Sequence, residues 1–281
     1  MNEPDAKAGD RPSHWNANAA GASDEAQASI DRMFEPLEQL LVDAIAAGAP
    51  RRVLDVGCGT GGTTLAAARR LGANAECVGV DIAEPMIAAA RARAEREGLP
   101  ASFVLADAET HAFEPASFDA VMSRFGVMFF EDPVRAFTNL RSAARDGATL
   151  RAIVWRSPEE NPFMTTAERA AAPILPDLPP RVPDAPGQFG FANARRVQRI
   201  LSESGWTAID IQPVDVVCTF AATELPRYAT RFGVVGRALE NADDGTRARV
   251  VEVVRDAFAP YVHGDEVRYD AACWMIGATG P

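Results

Sequence analysis

A glycine-rich turn early in the chain is the part of the sequence that most clearly indicates chemistry. The residues from Val53 to Gly62 read V-L-D-V-G-C-G-T-G-G. The apolar first part predicts a strand that ends at Val56, and the residues from Gly62 onward predict a helix. Glycines between a strand and a helix leave the backbone uncovered, so a ligand can contact the main chain directly. The turn therefore predicts a ligand-binding site where the strand ends.

Two classes of ligand fit the spacing of these glycines. Gly57, Gly59 and Gly62 satisfy the dinucleotide pattern G-x-G-x-x-G. Asp81 stands 19 residues beyond Gly62, where an acid that binds a ribose is expected. A dinucleotide places its pyrophosphate on the helix N-terminus, which favours an anion. Asp55 would repel a pyrophosphate but suits a cofactor with a sulfonium and an amino group, as S-adenosylmethionine has, so an NAD-dependent oxidoreductase is the less favoured alternative.

Three acids follow predicted strands at equal intervals. Asp55 and Asp81 are 26 residues apart, as are Asp81 and Asp107. Successive βα units give this spacing when each strand ends in an acid at the same sheet edge. Together with V-G-V-D and A-D-A, the glycine turn resembles the class I S-adenosylmethionine-dependent methyltransferases, in their small-molecule branch. The resemblance covers Val53 to Trp155 closely, including F-D-A-V-M-S-R-F-G-V-M-F-F-E-D-P from Phe118 to Pro133, and the remainder more loosely.

The resemblance implies a role for several residues in binding S-adenosylmethionine. Asp81 would accept hydrogen bonds from both ribose hydroxyls, which a single neutral acceptor could not hold as well. Ile82 and Met86 would pack on the adenine, although an ordinary core methionine is the alternative for Met86. The polar edge of the adenine would be bound by Asp107 and the Ala108 N–H. The methionine end would be held by Asp55, the backbones of Gly57 and Gly59, and the Ser123 carbonyl.

Methyl transfer from a sulfonium is an in-line displacement with an activated leaving group, so positioning carries most of the catalysis. A general base is needed only for a poorly ionised oxygen or an unactivated carbon. The side chains that offer one are His14, His111, Tyr228 and His263, and each has a structural or surface role as its alternative. The side chains expected to contact the acceptor are Trp15, Arg124, Phe125 and Trp155. The three aromatic residues among them favour a small apolar or aromatic metabolite as the acceptor. The other alternative for the function is a non-catalytic module that binds S-adenosylmethionine.

Composition narrows the possible partners. The 281 residues carry a formal net charge of −11, which opposes binding to nucleic acid. The four cysteines and three histidines are scattered without metal-ligand spacing, so neither a metal site nor a disulfide framework is predicted. Because the chain has no run of 18 apolar residues and its first 25 residues are polar, we expect a cytoplasmic protein without a membrane span. The sequence leaves the acceptor and the oligomeric state open.

The order of predicted elements indicates an α/β fold. Strands and helices alternate from Arg52, which predicts a Rossmann-like doubly wound sheet that is mostly parallel, and the resemblance implies an antiparallel last strand. We expect residues 1–22 to form a tail or a lid and residues 23–281 to form a single methyltransferase domain. Helical cap insertions are predicted at about 158–191 and 225–260. Pro36 is expected to kink or restart the first helix.

Overall fold

The computed structural model of the protein describes residues 24–231, 233–240 and 242–281. The strands in these residues are β1 (Arg52–Val56), β2 (Glu76–Asp81), β3 (Ala101–Leu105), β4 (Phe118–Arg124), β5 (Ala144–Trp155), β6 (Thr207–Ala221), β7 (Val262–His263) and β8 (Glu266–Thr279). The helices there are α1 (Asp24–Ala46), α2 (Gly62–Leu71), α3 (Glu84–Glu97), α4 (Pro133–Ala143), α5 (Pro162–Ala171), α6 (Ala194–Glu203), α7 (Leu225–Arg231), α8 (Gly233–Glu240) and α9 (Asp244–Ala257).

The strands form one mixed sheet with the order β3-β2-β1-β4-β5-β8-β6, and β7 pairs with β8. The pairs among β1 to β5 are parallel, whereas β8 runs antiparallel to both β5 and β6. This arrangement confirms the predicted Rossmann-like sheet with its antiparallel last strand. The register brings the end of β1 at Val56 beside Val80, and Asp81 at the end of β2 beside Leu105. The carboxyl ends of these strands therefore share one edge.

Strand β1 is buried on both of its faces. Val53 and Leu54 are both fully buried, and consecutive residues of a strand point to opposite faces of the sheet. Both faces must therefore be covered by helices, which is why the strand reads as a continuous apolar run and not as an alternating one.

Local signals set several helix boundaries. Asp132 caps the N-terminus of α4, where its side chain accepts a hydrogen bond from the Arg135 N–H at 3.0 Å, and Pro133 takes the first helical position. Gly98 ends α3 with a φ of 61°, a left-handed conformation that favours glycine. Both ends agree with the boundaries that the sequence predicts.

Strands β6 and β8 extend past the end of β5 as a ribbon. Trp155, the last residue of β5, pairs with Cys273, whereas β6 and β8 continue to pair as far as Ala221 and Glu266. Because β5 ends at the carboxyl edge of the parallel strands, the ribbon projects beyond that edge. The wall it forms stands beside the place where ligands bind in such sheets.

The helices of the two predicted insertions pack against each other on this ribbon. The ring of Phe163 in α5 is stacked on that of Tyr269 in β8, with centroids 3.9 Å apart. The same ring contacts Tyr228 of α7 at 5.3 Å and Phe258, directly after α9, at 5.1 Å. The two insertions thus share one aromatic core.

One expectation about an individual element is wrong, and one of two alternatives for another is excluded. The sequence predicts a strand from Trp206 to Ile211, but β6 runs on to Ala221 because its second half pairs with β8. Pro36 lies inside one continuous helix, α1, and does not restart it. Pro36 is exposed, so water can satisfy the carbonyl that its missing N–H leaves without a helical partner.

Candidate functional site

The glycine turn after β1 is in close contact with the loop after β4. Gly57 has a φ of 70°, and a Cβ atom built on it would lie 2.6 Å from the Cα of Gly126. Gly126 is equally restricted, because its own Cβ would lie 2.5 Å from the carbonyl oxygen of Val56. Side chains at either position would separate the two segments. The pair of glycines therefore brings two stretches of backbone together at the carboxyl edge of the sheet.

Most N–H groups from Gly57 to Gly61 are used within the protein. Four of them donate hydrogen bonds of 2.9–3.1 Å: Gly57 and Cys58 to the Val80 carbonyl, Gly59 to the Asp81 carboxylate, and Gly61 to the Cys58 carbonyl. An anion cradle of the dinucleotide type needs such groups to be directed at the ligand. The turn is therefore poorly suited to a pyrophosphate.

Asp81 stands at the end of β2 with both carboxylate oxygens anchored. One oxygen accepts from the Gly59 N–H and the other from the Ala83 N–H, both at 2.9 Å. Burial raises the pKa of Asp81 above its ordinary value, and the hydrogen bonds from these N–H groups oppose the shift. The carboxylate is thus held in one orientation before any ligand arrives.

A cleft of about 280 Å³ opens at this edge, so a ligand of nucleoside size fits here. The predicted site residues that line the cleft are Gly57, Gly59, Asp81, Ile82, Met86, Asp107, Ala108, Arg124 and Phe125. The lining residues that the sequence does not single out are Val56, Val80, Ala83, Ala106, Gly126, Phe129 and Phe130. The apolar run V-M-F-F directly after Gly126 is the signal that points to the last two.

Asp55 does not line the cleft. Its side chain is 1% exposed, and it accepts a hydrogen bond of 2.6 Å from the Thr64 hydroxyl. Burial raises its pKa to about 7, and the hydrogen bond from Thr64 opposes this shift. Asp55 thus lies beneath the turn, bonded to α2, and has no direct contact with the cleft.

Ser123 is also buried behind the cleft. Its hydroxyl donates to the Val56 carbonyl at 2.7 Å and accepts from the N–H of Gly126 at 3.2 Å. The side chain therefore fastens the loop after β4 to the end of β1.

An aromatic wall of Phe34, Phe125 and Trp155 stands beside the cleft. The rings of Phe125 and Trp155 are stacked with centroids 4.6 Å apart, and the edge of Phe34 meets both at 5.4 and 6.1 Å. Phe125 has a φ of 66°, which is unfavourable for a residue with a side chain. Its N–H donates to the Ile153 carbonyl at 2.9 Å, which helps to hold this conformation. Of this pair, only Phe125 lines the cleft. Trp155 therefore does not contact a ligand in the cleft and instead supports the ring of Phe125.

Arg124, which also lines the cleft, is contacted by α1. Its guanidinium donates to the Phe34 carbonyl at 3.5 Å, lies 5.7 Å from the Phe34 ring centre, and is 4.0 Å from a carboxylate oxygen of Glu38. Burial raises the pKa of Glu38, and the positive charge of Arg124 opposes this shift. The sequence predicts Phe34 only as part of the apolar face of α1, and it does not predict the contact of Glu38 with Arg124.

A second ion pair fastens α1 to the glycine turn. Arg93 of α3 lies 2.9 Å from a carboxylate oxygen of Asp31, and it donates to the carbonyl and the hydroxyl of Thr60 at 3.2 Å. Helix α1 is therefore linked to the turn as well as to the loop after β4.

Asp107 is oriented by a residue that the sequence does not predict. Glu109 is 2% exposed, and its N–H donates to a carboxylate oxygen of Asp107 at 2.9 Å. The Glu109 carboxylate accepts from the Glu131 N–H at 2.7 Å and from Arg135 at 2.9 Å. It thereby ties the segment after β3 to the start of α4.

The predicted bases lie away from the cleft. The ring of His111 packs on Phe113 with centroids 4.7 Å apart, and His263 is exposed on β7. The hydroxyl of Tyr228 donates to the sulfur of Met164 at 3.2 Å, and burial raises its pKa. His14 and Trp15 lie outside the described residues.

The described residues offer neither a cluster of metal ligands nor a membrane-spanning helix. No group of three or more His, Cys, Asp or Glu side chains there stands close enough together to hold a metal ion. No helix in the same ranges is long and apolar enough to cross a membrane.

Known proteins resemble this chain in sequence and in fold. A family model described as a methyltransferase domain matches residues 53–147. The aklanonic acid methyltransferase of Streptomyces sp. is 32% identical over 180 residues, which cover 62% of this chain and 77% of that protein. The demethylmenaquinone methyltransferase of Thermus thermophilus is 38% identical over 122 residues, and the match spans 43% of this chain and 55% of that relative. The solved structure of phosphoethanolamine N-methyltransferase 2 from Haemonchus contortus is a complex with S-adenosylmethionine. The match covers 92% of this chain and 57% of that chain, with a TM-score of 0.56. At 17% sequence identity, it shows the same fold.

Proposed function

We propose, for a chain that belongs to the class I S-adenosylmethionine-dependent methyltransferases, that the methyl acceptor is a small apolar or aromatic molecule. The observation that carries this proposal is the stacking of Phe125 on Trp155 at the edge of the cleft, 4.6 Å between ring centres. Together with Phe129 and Phe130 it gives the cleft a largely aromatic side. Such a surface binds flat, apolar molecules through area and ring geometry more than through charge.

The residues present in the cleft fit the cofactor of this family. When bound, S-adenosylmethionine supplies a methyl group on a positively charged sulfur. Asp81, with both oxygens anchored, is oriented to accept from the ribose hydroxyls. Ile82 and Met86 supply an apolar surface for the adenine. Asp107, oriented by the Glu109 N–H, and the Ala108 N–H would bind the polar edge of that ring.

At the methionine end, some of the predicted residues line the cleft and others lie behind it. Gly57 and Gly59 line the cleft and leave room for a ligand, since a Cβ at Gly59 would meet no atom within 4 Å. Asp55 and the Ser123 side chain lie behind this surface, so neither side chain contacts a ligand in the cleft, and the role of the Ser123 carbonyl stays a proposal.

Catalysis in this site rests on orientation and exclusion of water. The described candidates for a general base, His111, Tyr228 and His263, do not line the cleft. If His14, outside the described residues, is not a base, the acceptor must already be nucleophilic or bring its own proton acceptor. Holding the two reactants in line supplies most of the rate in such a displacement.

The other parts of the sequence interpretation stay proposals. Residues 1–22 act as a lid, and the insertions at 158–191 and 225–260 select the acceptor, because the helices of these insertions stand on the ribbon beside the cleft edge. The net charge of −11 opposes nucleic acid as a partner. We also propose a cytoplasmic location.

Two measurements test the function. Calorimetric titration should show binding of S-adenosylmethionine and S-adenosylhomocysteine and much weaker binding of NAD. Binding of NAD with no response to the other two would overturn the assignment. A screen of quinones, phenols, amines and fatty acids, read as S-adenosylhomocysteine released, should give turnover with an aromatic acceptor. Binding without turnover of any acceptor would favour a non-catalytic module, and turnover of amines or fatty acids alone would contradict the aromatic class.

A further inference from the structure

The side chains that line the cleft carry more negative than positive charge. If the proposed function is correct, this imbalance affects how the cofactor binds. S-adenosylmethionine carries a carboxylate at its methionine end, and S-adenosylhomocysteine carries the same group. The acidic side chains that line the cleft, Asp81 and Asp107, would repel it. Among the described residues that line the cleft, Arg124 is the one cationic side chain.

Most of the N–H groups of the glycine turn are not available to bind this carboxylate. The N–H groups of Gly57, Gly59 and Gly61 already donate to the protein, as does that of Cys58. A carboxylate placed at the turn would have to break these bonds, each of which also fixes the shape of the turn. A side-chain donor is the alternative that leaves the turn intact.

Arg124 stands at the right end of the cleft for this role. Its guanidinium lies 3.7 Å from the position that a Cβ would take on Gly62, the first residue of α2. The positive end of the helix dipole is therefore beside it, and the carboxylates of Asp31 and Glu38, 3.2 and 3.3 Å from the same position, already face that end. Because Gly57 and Gly59 line the same cleft, the carboxylate and the rest of the methionine end would lie along one continuous surface.

The contacts of Arg124 leave donors for a ligand. A guanidinium has five N–H donors. Its contacts with the Phe34 carbonyl at 3.5 Å and the Glu38 carboxylate at 4.0 Å are both at the outer limit of such interactions. Glu38 repels a ligand carboxylate as Asp81 and Asp107 do, and the ammonium group beside that carboxylate offsets this repulsion.

We propose that Arg124 binds the carboxylate at the methionine end of the cofactor, and that Phe34 and Glu38 of α1 position its guanidinium. This role replaces the acceptor contact that the sequence predicts for Arg124. Helix α1 thereby becomes part of the cofactor site without lining the cleft, and the acceptor is left with the aromatic wall.

The test compares two ligands that differ at the methionine end. S-adenosylhomocysteine has the carboxylate, whereas 5′-methylthioadenosine shares its adenosine and sulfur but has no amino-acid end. For Arg124→Met we expect the Kd of S-adenosylhomocysteine to rise about tenfold or more, the loss typical of a charged hydrogen bond. The Kd of 5′-methylthioadenosine should change by less than about twofold. Arg124→Lys should give an intermediate loss for S-adenosylhomocysteine, because it keeps the charge without the fork of donors.

Arg156→Met is the matched control. Its side chain is 13% exposed against 12% for Arg124, and its guanidinium lies 5.6 Å from the Trp274 ring centre, as Arg124 lies 5.7 Å from that of Phe34. Arg156 does not line the cleft. We expect this variant to bind both ligands like the unaltered protein.

Several results would overturn the proposal. Equal losses for both ligands in Arg124→Met and Arg124→Lys would show that Arg124 only supports the fold. Unchanged affinity for S-adenosylhomocysteine with a raised KM for the acceptor would return Arg124 to the acceptor site. An unaltered protein that binds neither ligand would instead refute the proposed function, so the two failures are distinguishable. If Arg124→Met does not fold, Arg124→Lys alone decides, since only a contact with the carboxylate predicts a selective loss.

Discussion

Gly57 and Gly126 are in backbone contact across the carboxyl edge of the sheet, although they belong to loops that follow different strands. A Cβ on Gly126 would lie 2.8 Å from the Cα of Gly57 and 2.5 Å from the Val56 carbonyl oxygen. Gly126 itself has an ordinary helical φ of −77°. Its requirement for glycine is therefore one of space and not of backbone conformation.

Gly126→Ala tests this contact. We expect it to push the loop after β4 away from the turn, to lower the affinity for S-adenosylhomocysteine by about tenfold and to destabilise the fold by about 1–3 kcal/mol, as overpacking does. Gly59→Ala is the matched control, because a Cβ there meets nothing within 4 Å and only its φ of 53° is unfavourable. That variant should lose about 1–2 kcal/mol of stability through backbone strain alone and should leave the loop after β4 in place. Equal effects of the two substitutions on stability and binding, by thermal unfolding and calorimetry, would contradict the contact.

Asp81→Asn should weaken adenosine recognition in general. Removing the charge costs a charged hydrogen bond to the ribose, so the affinity should fall by about 1.5–3 kcal/mol. Because the loss lies in the adenosine half, S-adenosylhomocysteine and 5′-methylthioadenosine should be weakened alike, in contrast to Arg124→Met. Calorimetric titration of both ligands measures this. Full affinity in the variant would show that Asp81 does not hold the ribose.

Asp55 should make stability depend on pH. Its pKa is about 7 in the folded protein, against 3.8 for an ordinary aspartate, because burial favours the protonated form. The proton is therefore held more tightly when the chain is folded. The resulting stabilisation is complete below about pH 4, shrinks as the pH rises, and is lost above about pH 7.

Asp55→Asn removes this ionisation and keeps an acceptor for Thr64. The difference in unfolding free energy between variant and unaltered protein should change by about 1–4 kcal/mol between pH 4 and pH 8, in favour of the variant at the higher pH. Urea unfolding at one-unit steps measures it. A constant difference over that range would mean that Asp55 is ionised throughout.

The strained backbone of Phe125 separates its structural from its binding role. At a φ of 66° a glycine is favoured over an alanine, so Phe125→Gly should be more stable than Phe125→Ala by about 1 kcal/mol. Both variants lose the ring that stacks on Trp155, so both should raise the KM of the acceptor while S-adenosylhomocysteine binds normally. Thermal unfolding and steady-state kinetics give the two readouts. A raised Kd for S-adenosylhomocysteine with an unchanged acceptor KM would place the ring on the cofactor instead.

Deletion of Met1 to Ala22 tests the predicted lid. We expect turnover to fall while at least part of the cofactor affinity survives, because the described residues that line the cleft, from Val56 onward, stay in the variant. Kinetics with an identified acceptor and calorimetry measure the two effects. Full activity with an unchanged acceptor preference would exclude the tail and leave the two insertions as the determinants.

The strand ends of the site are predictable from the sequence because their signals are local. Asp81 follows its own strand directly, and glycines mark the turn at Gly57 and Gly59, so neighbours along the chain determine where these residues lie. The burial of Asp55 is not local, because it depends on the partner that α2 supplies, Thr64.

The unpredicted parts of the site depend on contacts between distant segments. Glu109 is recognisable only once the start of α4 is packed against it. The contact of Glu38 with Arg124 joins residues 86 positions apart, and no periodic pattern encodes it. The second half of β6 likewise becomes a strand through its pairing with β8. Tertiary packing decides such features over local preference.

The hydrogen bonds that the glycine turn makes to Val80 and Asp81 also bear on the speed of binding. Because the turn closes its own N–H groups onto β2, it has its final shape in the free protein, and cofactor and product can exchange without rebuilding it. Association then involves one encounter step and no slow rearrangement of the turn. The observed rate of binding should accordingly rise in proportion to ligand concentration without reaching a plateau.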